Sequence, residues 1–260
     1  MSRLKQVQSF IEYDLKNNYI IEPKNRFEAV RERVFDVIQT YNPGVIIKAG
    51  IGHGDLLLDL VKKFKSYIVV VEPSFTAIKD FIQSHSTDKD AQKIKFINGD
   101  LHDLPVDYYA TDLLICIDYL DFFDSGKSIN EFKRVLKFDG IFFIATVTLD
   151  SNDIDGIYDE FIKLISPLHN DYYVPEDITT LLELKEFKMI KTMRLNFKNN
   201  LQSRIDYFIK IFNSTSRENS TDFIKTHNEE FKKYLQMDDN YEIAEPYFIG
   251  VYMRGKPASV

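Results

Sequence analysis

The chain has 260 residues with 33 Lys and Arg against 40 Asp and Glu, a net charge of −7, so it carries no overall basic field for nucleic acid or an anionic membrane. Its 44% hydrophobic content, including 21 phenylalanines and 15 tyrosines, is ample for one real core with a cap. A single cysteine, Cys116, excludes an internal disulfide framework, and no apolar run reaches the roughly 18 residues of a membrane span.

The polar start Met1-Ser-Arg-Leu-Lys-Gln lacks a secretory apolar region, so a cytoplasmic location is expected. Leu4, Val7, Phe10, Ile11 and Leu15 recur at helical spacing and predict an amphipathic first helix. Phe27, Val30, Val34 and Ile38 predict a second, opened by an Asn25/Glu28 capping pair and stopped by Asn42-Pro43-Gly44. Residues 1–42 thus form a pair of leading helices, expected to lie over the mouth of the nucleotide-type fold that begins at Val45.

The most informative stretch is Val45-Ile-Ile-Lys-Ala-Gly-Ile-Gly-His-Gly-Asp55, with Leu56-Leu-Leu-Asp-Leu-Val61 directly after it. It predicts a buried strand, a tight turn and a helix. Gly50, Gly52 and Gly54 lack Cβ, so the backbone can take positive φ and let a ligand reach the N–H groups at the helix start, where the dipole favours an anion. A dinucleotide turn wants G-x-G-x-x-G, and Asp55 occupies its third glycine position. Turns of this kind also serve packing alone.

A second strand, Tyr67–Val71, ends in Glu72, which lies 22 residues beyond Gly50, where an α/β nucleotide site places an acid for two ribose hydroxyls. This points to an adenosine-containing ligand. Lys95–Ile97 is a third strand leading into Asn98-Gly-Asp-Leu-His-Asp-Leu-Pro105, and Asp112–Ile117 a fourth, ending in Asp118-Tyr119. Glu131–Gly140 reads as a helix end with a glycine stop before a fifth strand, Ile141–Val147. This alternation predicts an α/β fold with a largely parallel sheet. Beyond it come a helix over 154–168, another from Pro175, a strand over Met189–Phe197 and a last strand over Tyr247–Tyr252, the final two forming an antiparallel edge.

Between those strands, residues 198–238 insert two predicted helices. One stripe holds Leu201, Ile205, Phe208, Ile209 and Phe212; the next holds Phe223, His227, Phe231 and Tyr234, with a polar, mobile turn over Asn213–Thr221 between them. Such stripes either pack as scaffold or cap an acceptor site.

From Val45 to Val147 the order and spacing of these motifs, including "NGDLHDLP", the step from Pro105 to Asp112 and "FKRVLKFDGIFFI", resemble the class I S-adenosylmethionine-dependent methyltransferases. The likeness is to the ubiquinone/menaquinone C-methyltransferase-like, type 11 branch. The resemblance implies a Rossmann-like, doubly wound, mostly parallel seven-stranded sheet with an antiparallel last strand and a helical cap. Residues 43–197 and 239–260 would be the core and 198–238 the inserted cap. It implies S-adenosylmethionine as cofactor, with Gly50, Gly52 and Gly54 bordering its methionine part and Glu72 on its ribose. Asp100 and the Leu101 backbone would read adenine, and Ile117, Asp118 and Tyr119 would flank the sulfonium. One departure stands out. The family usually carries an acid two residues before the first glycine, and here that residue is Lys48, whose charge repels a sulfonium and attracts a carboxylate. Asp55, Asp118 and the methionine carboxylate are its open alternatives as partners.

Methyl transfer from a sulfonium needs a base only when the acceptor must lose a proton, so no fixed motif reveals one. Asp118 and Tyr119, at the carboxyl end of the fourth strand, are the first catalytic-side candidates, and His227 is a candidate general base or a packing histidine. His53, His85, His102, His169 and His227 show no metal-ligand spacing. Asp118-Tyr-Leu lacks the Asn/Asp-Pro-Pro-aromatic segment of amino-methyltransferases acting on nucleic acid. The expected function is methylation of a small-molecule acceptor, without nucleic acid or membrane insertion; a homodimer is left open. The alternative is a non-catalytic regulatory protein binding the cofactor, its demethylated product or another nucleotide at a site degenerate at Lys48. A nicotinamide oxidoreductase is disfavoured by Asp55.

Overall fold

The computed structural model describes residues 3–17, 23–52, 54–212 and 216–256. Helices α1 (Arg3–Asn17) and α2 (Lys24–Tyr41) precede strand β1 (Val45–Ala49), helix α3 (Asp55–Lys63), β2 (Tyr67–Glu72), α4 (Phe75–Ser84), β3 (Lys95–Asn98) and β4 (Thr111–Ile117). Then come α5 (Ser125–Val135), β5 (Leu136–Val147), α6 (Ile157–Ile165), α7 (Pro175–Leu184) and β6 (Phe187–Asn200). Three short helices, α8 (Leu201–Ile211), α9 (Arg217–Thr226) and α10 (Asn228–Leu235), lead to β7 (Glu242–Arg254).

The strands form one sheet in the order β3-β2-β1-β4-β5-β7-β6. β1 pairs in parallel with β2 and β4, and β5 with β4, while β7 runs antiparallel to both β5 and β6. Only β7 therefore opposes the common direction, as the Rossmann-like reading requires.

Strand periodicity explains why helices cover both faces. Alternate side chains point to opposite sides, so Ile46, Ile68, Val70, Leu113, Ile115 and Phe143 join one core with α2, α3, α6 and α8. Ile47, Val69, Val71, Leu114, Phe142 and Ile144 join a second with α1, α5 and α7. Cys116 lies in this second core, where burial pushes its thiol up to about 12, so it behaves as a small hydrophobe.

Several local expectations are corrected. The start of α2 is capped by Pro23 with no side-chain cap hydrogen bond, so the Asn25/Glu28 box is not used, although Asn42 does stop the helix at φ 44. The helix before β5 ends at Val135 rather than at Gly140. Residues 137–140 bulge out of β5 between the pairs Thr111–Leu136 and Leu113–Ile141, with Asp139 rather than glycine taking positive φ, at 62. The predicted second insertion helix is split at His227, which ends α9 and precedes α10. Within the predicted polar turn, residues 213–215 lie outside the described residues, and Ser216 caps α9.

One carboxylate ties the helices above the carboxyl ends of the strands to the sheet. Glu245 on β7 is fully buried. It accepts from Arg26 of α2 at 3.2 Å, Arg204 of α8 at 2.6 Å, Tyr158 of α6 at 2.5 Å and Asn199 of β6 at 3.2 Å. Burial pushes this carboxyl up, but the two guanidiniums outweigh it and hold its pKa below the ordinary glutamate value. Glu245→Gln removes the buried anion that Arg26 and Arg204 share, and is expected to destabilise the protein by about 3–5 kcal/mol. Urea denaturation measures this, and an unchanged midpoint contradicts it.

Candidate functional site

A cavity of about 270 Å³ opens at the carboxyl ends of β1, β2, β4 and β5. This is where an open α/β sheet binds ligands, at the point where connections leave in opposite directions. Its floor is the glycine turn with Lys48, Glu72, Ile117, Asp118 and Tyr119. Its roof comes from α1 through Val7, Phe10 and Ile11, from α2 through Arg26, Phe27 and Val30, and from α8 through Arg204, Tyr207 and Phe208.

All three turn glycines take positive φ: 73 at Gly50, 59 at Gly52 and 83 at Gly54. At Gly50 the requirement is double, because a Cβ there would stand 2.4 Å from the ring of Tyr119. Tyr119 thus lies on the turn itself, and its hydroxyl donates to Glu72 Oε2 at 3.1 Å. Glu72 also accepts from the Ile51 N–H at 2.9 Å and the Ser74 N–H at 2.8 Å. Burial nevertheless dominates, so the Glu72 pKa is raised above the ordinary glutamate value despite these donors and the nearby Lys48 charge. Helix α1 is laced over the same corner, with Gln8 donating to the Pro73 carbonyl at 2.8 Å and Glu12 accepting from Ser74 Oγ at 3.3 Å.

Lys48 is 3% exposed, and its ammonium donates to the carbonyls of Gly50 at 2.7 Å and Ile51 at 3.4 Å. A carboxylate at this position could not make those bonds. The lysine therefore holds the glycine turn by its carbonyl side, an outcome absent from the three partners expected from sequence.

Asp118 sits at φ 50 just past β4, accepts from Tyr247 at 3.1 Å, and has Arg26 3.8 Å away. Asp100 and Leu101 lie beyond the cavity lining: Asp100 Oδ1 accepts from the His102 N–H at 2.9 Å, and Leu101 is buried in the second core. His102 closes that loop by accepting from the Asp124 N–H at 2.9 Å. His227 is not brought to the cavity. Its ring lies tilted against Phe223, 4.5 Å between centroids, where α9 meets α10, and it is not among the residues that line the cavity. His53 lies outside the described residues.

Instead, the cavity is lined in part by a buried histidine that sequence spacing passed over. His169, with a side chain 1% exposed, sits 2.7 Å from Asp159 Oδ1 and 3.6 Å from Asp121 Oδ2, and both His169 and Asp121 line the cavity. Burial lowers its pKa, but the two carboxylates outweigh that and leave it above the ordinary histidine value. Asp159 in turn meets Lys163 at 2.7 Å, and Lys163 meets Asp171 at 2.7 Å on the surface. No local signal marks this group, because its members come from three separate segments.

The cap divides in two. Phe208 lines the cavity and stacks with Phe10 and Phe212, whereas Phe231 is buried against Phe161 and Phe223 in the first core. Helices α1 and α8 wall the chamber; α9 and α10 brace α6 and β7.

Comparison with known proteins bears on this geometry. Residues 47–144 match the family model described as a methyltransferase domain. No curated protein matches the chain in sequence. Among solved structures, the YcgJ protein from Bacillus subtilis superposes with a TM-score of 0.73 at 14% identity, covering 88% of this chain and 99% of that one. A putative methyltransferase from Bacillus halodurans gives 0.70 at 16% identity, over 82% and 93%. Geranyl diphosphate C-methyltransferase from Streptomyces coelicolor, solved with S-adenosylhomocysteine, gives 0.56 at 13% identity, over 81% and 72%. Residues 47–144 are thus similar to a methyltransferase domain, and the chain as a whole shares the Rossmann-like fold of these solved structures.

Proposed function

We propose that the protein is an S-adenosylmethionine-dependent methyltransferase acting on a small molecule. The observation that carries this reading is the continuity of the chamber: the glycine turn and Glu72 open into the same cavity as the aromatic roof of α1 and α8. One end suits the donor, and the other end suits an acceptor. The donor, when bound, supplies an electrophilic methyl group on a sulfonium.

The residues present fit that donor. Glu72 at the end of β2 would take the ribose hydroxyls, and the turn at Gly52 and Gly54, which lines the cavity, would border the methionine part, with Gly50 reached once the Tyr119 ring that covers it moves. Lys48, beneath the turn, favours the methionine carboxylate, and Asp118 supplies an acid for the ammonium that Lys48 cannot. Ile117 borders the same space. Asp100 and Leu101 are assigned to the adenine end, next to the Asn98 side chain that donates to the carbonyls of Glu72 and Pro73. Tyr119 competes with the ribose for Glu72 and must turn aside on binding. On the acceptor side, Asp121 is the base facing the chamber, with His169 as the positioning residue behind it.

Titration calorimetry with S-adenosylhomocysteine tests the reading, and the absence of binding at millimolar ligand overturns it. Glu72→Gln is expected to weaken binding about tenfold or more, since a hydrogen bond to a charged group contributes about 1.5–3 kcal/mol. Tyr119→Phe, which frees the carboxylate from its phenol, should tighten binding severalfold; weaker binding would mean that the hydroxyl contacts the ligand.

The histidine cluster sets a pH dependence. His169 holds its proton more tightly folded than unfolded, so its ion pairs stabilise fully below the ordinary histidine value of about 6.5, and this contribution is lost as pH rises through the higher folded value. The Asp159 pKa is lowered, burial being outweighed by His169 and Lys163, so that partner's share is lost only in acid. Denaturant unfolding of wild type and His169→Gln should therefore differ most near pH 5–6.5 and converge toward alkaline pH. A gap that widens with pH contradicts this assignment.

A further inference from the structure

Beside Asp121 the chamber gathers polar groups whose hydrogen-bonding capacity the fold leaves unused. The Asp121 carbonyl accepts from the Asn170 N–H at 2.8 Å, but among the described residues its carboxylate has no hydrogen-bond partner, and the His169 ring stands 3.6 Å from it. His169 is fixed from behind. Its Nε2 lies 2.7 Å from Asp159 Oδ1, the oxygen that also takes the Tyr172 N–H at 2.6 Å, while Asp159 Oδ2 meets Lys163 and Lys163 meets Asp171, each at 2.7 Å. The other ring nitrogen, Nδ1, is buried without a hydrogen-bond partner.

Tyr172 completes the group. Its ring centroid lies 4.2 Å from that of His169, it lines the chamber, and among the described residues its hydroxyl has no hydrogen-bond partner. Burial and then the Asp121 charge raise its pKa well above the ordinary tyrosine value against the opposing charge of Arg204, so the phenol keeps its proton. It is a donor waiting for an acceptor. The surrounding wall is apolar, with Phe10 between Phe122 at 5.6 Å and Phe208 at 6.5 Å, and Ile162 beside them.

The chemistry of these groups selects among ligands. A carboxylate meets Asp121 with like charge. An ammonium pairs with Asp121 but stands beside His169, which holds its proton more tightly than an ordinary histidine, and it offers the Tyr172 phenol no acceptor. A hydrocarbon leaves both groups unsatisfied out of water, which is unfavourable. A hydroxyl meets none of these objections, because one neutral group donates to the carboxylate and accepts from the phenol.

We infer that the acceptor is an uncharged alcohol or phenol on an apolar, ring-sized body, its hydroxyl seated between Asp121 and Tyr172 and its body among Phe10, Phe122 and Phe208. This deepens the proposed reading of the chamber and rests on it. Asp121 takes the hydroxyl proton as the oxygen–carbon bond forms, while the sulfur–methyl bond of the donor breaks and leaves its electron pair on sulfur. Tyr172 is the residue that distinguishes a hydroxyl from other groups of its size.

The test uses 5-hydroxyindole, 2-naphthol and cyclohexanol, each beside the parent compound lacking the hydroxyl and the amine that replaces it, titrated into the full-length protein loaded with S-adenosylhomocysteine. A site that hydrogen-bonds a hydroxyl rejects the analogue without it. At least one hydroxyl compound is expected to bind about tenfold or more tighter than both its parent and its amine. Tyr172→Phe should remove most of that preference and leave the affinity for the parent unchanged, whereas a merely structural role would change both affinities together. With S-adenosylmethionine, the preferred compound should leave as its methyl ether, identified by mass spectrometry. Preference for the parent or the amine in all three sets overturns the inference, as does a folded Tyr172→Phe that keeps the preference or lowers both affinities alike, or the absence of the methyl ether. Should the variant fail to fold, the wild-type preference and the product decide. Failure of S-adenosylhomocysteine to bind overturns the cofactor reading and this inference with it; failure of the hydroxyl compounds alone leaves the cofactor reading standing.

Discussion

The carboxylate of Glu245 is the contact on which the upper half of the molecule depends. A buried glutamate is unfavourable unless several donors converge on it, and here α2, α6, α8 and β6 each contribute one. Because each donor sits on a different element, the network sets where those elements stand. Two of its members, Arg26 and Arg204, also line the cavity, so the contact that orders the roof decides the charge of the chamber beneath it.

The glycine-turn corner is organised by a different balance. In this fold an acid before the glycine turn would present a negative charge; Lys48 gives the opposite sign and satisfies its ammonium on two turn carbonyls. Glu72 absorbs part of the consequence. Its donors are the Ile51 and Ser74 amides and the Tyr119 hydroxyl, and of these only the phenol can leave without distorting the backbone. Tyr119 is thereby the movable element, set between the turn, which only a glycine at position 50 allows it to touch, and the carboxylate it shares.

Helices α8, α9 and α10 show why an insertion cannot be read as one unit. Their apolar stripes look alike in sequence, yet α8 spends part of its stripe on the chamber and α10 spends its stripe on the core. The break at His227 makes the difference: α10 starts afresh there, and Phe231 turns onto Phe161 of α6.

Much of the fold was legible in the sequence because its signals are local. Glycines at alternate positions, an acid at the end of β2 and apolar runs of strand length act over a few residues, and they placed the turn, Glu72, Asp118, Tyr119 and the strand alternation. Local signals misled where a neighbour distant in sequence decided the outcome. Gly140 looked like a helix stop, but pairing with β4 drew the chain into a strand from Leu136 onward. His227 looked like a base on an apolar stripe, but the packing of α10 placed it away from the cavity. Arg26 and Glu245 lie 219 residues apart, and Asp121, Asp159 and His169 come from three loops and helices. No periodicity records such encounters, because they depend on which faces bury against which, and only the folded chain brings those charges out of water and within reach of one another.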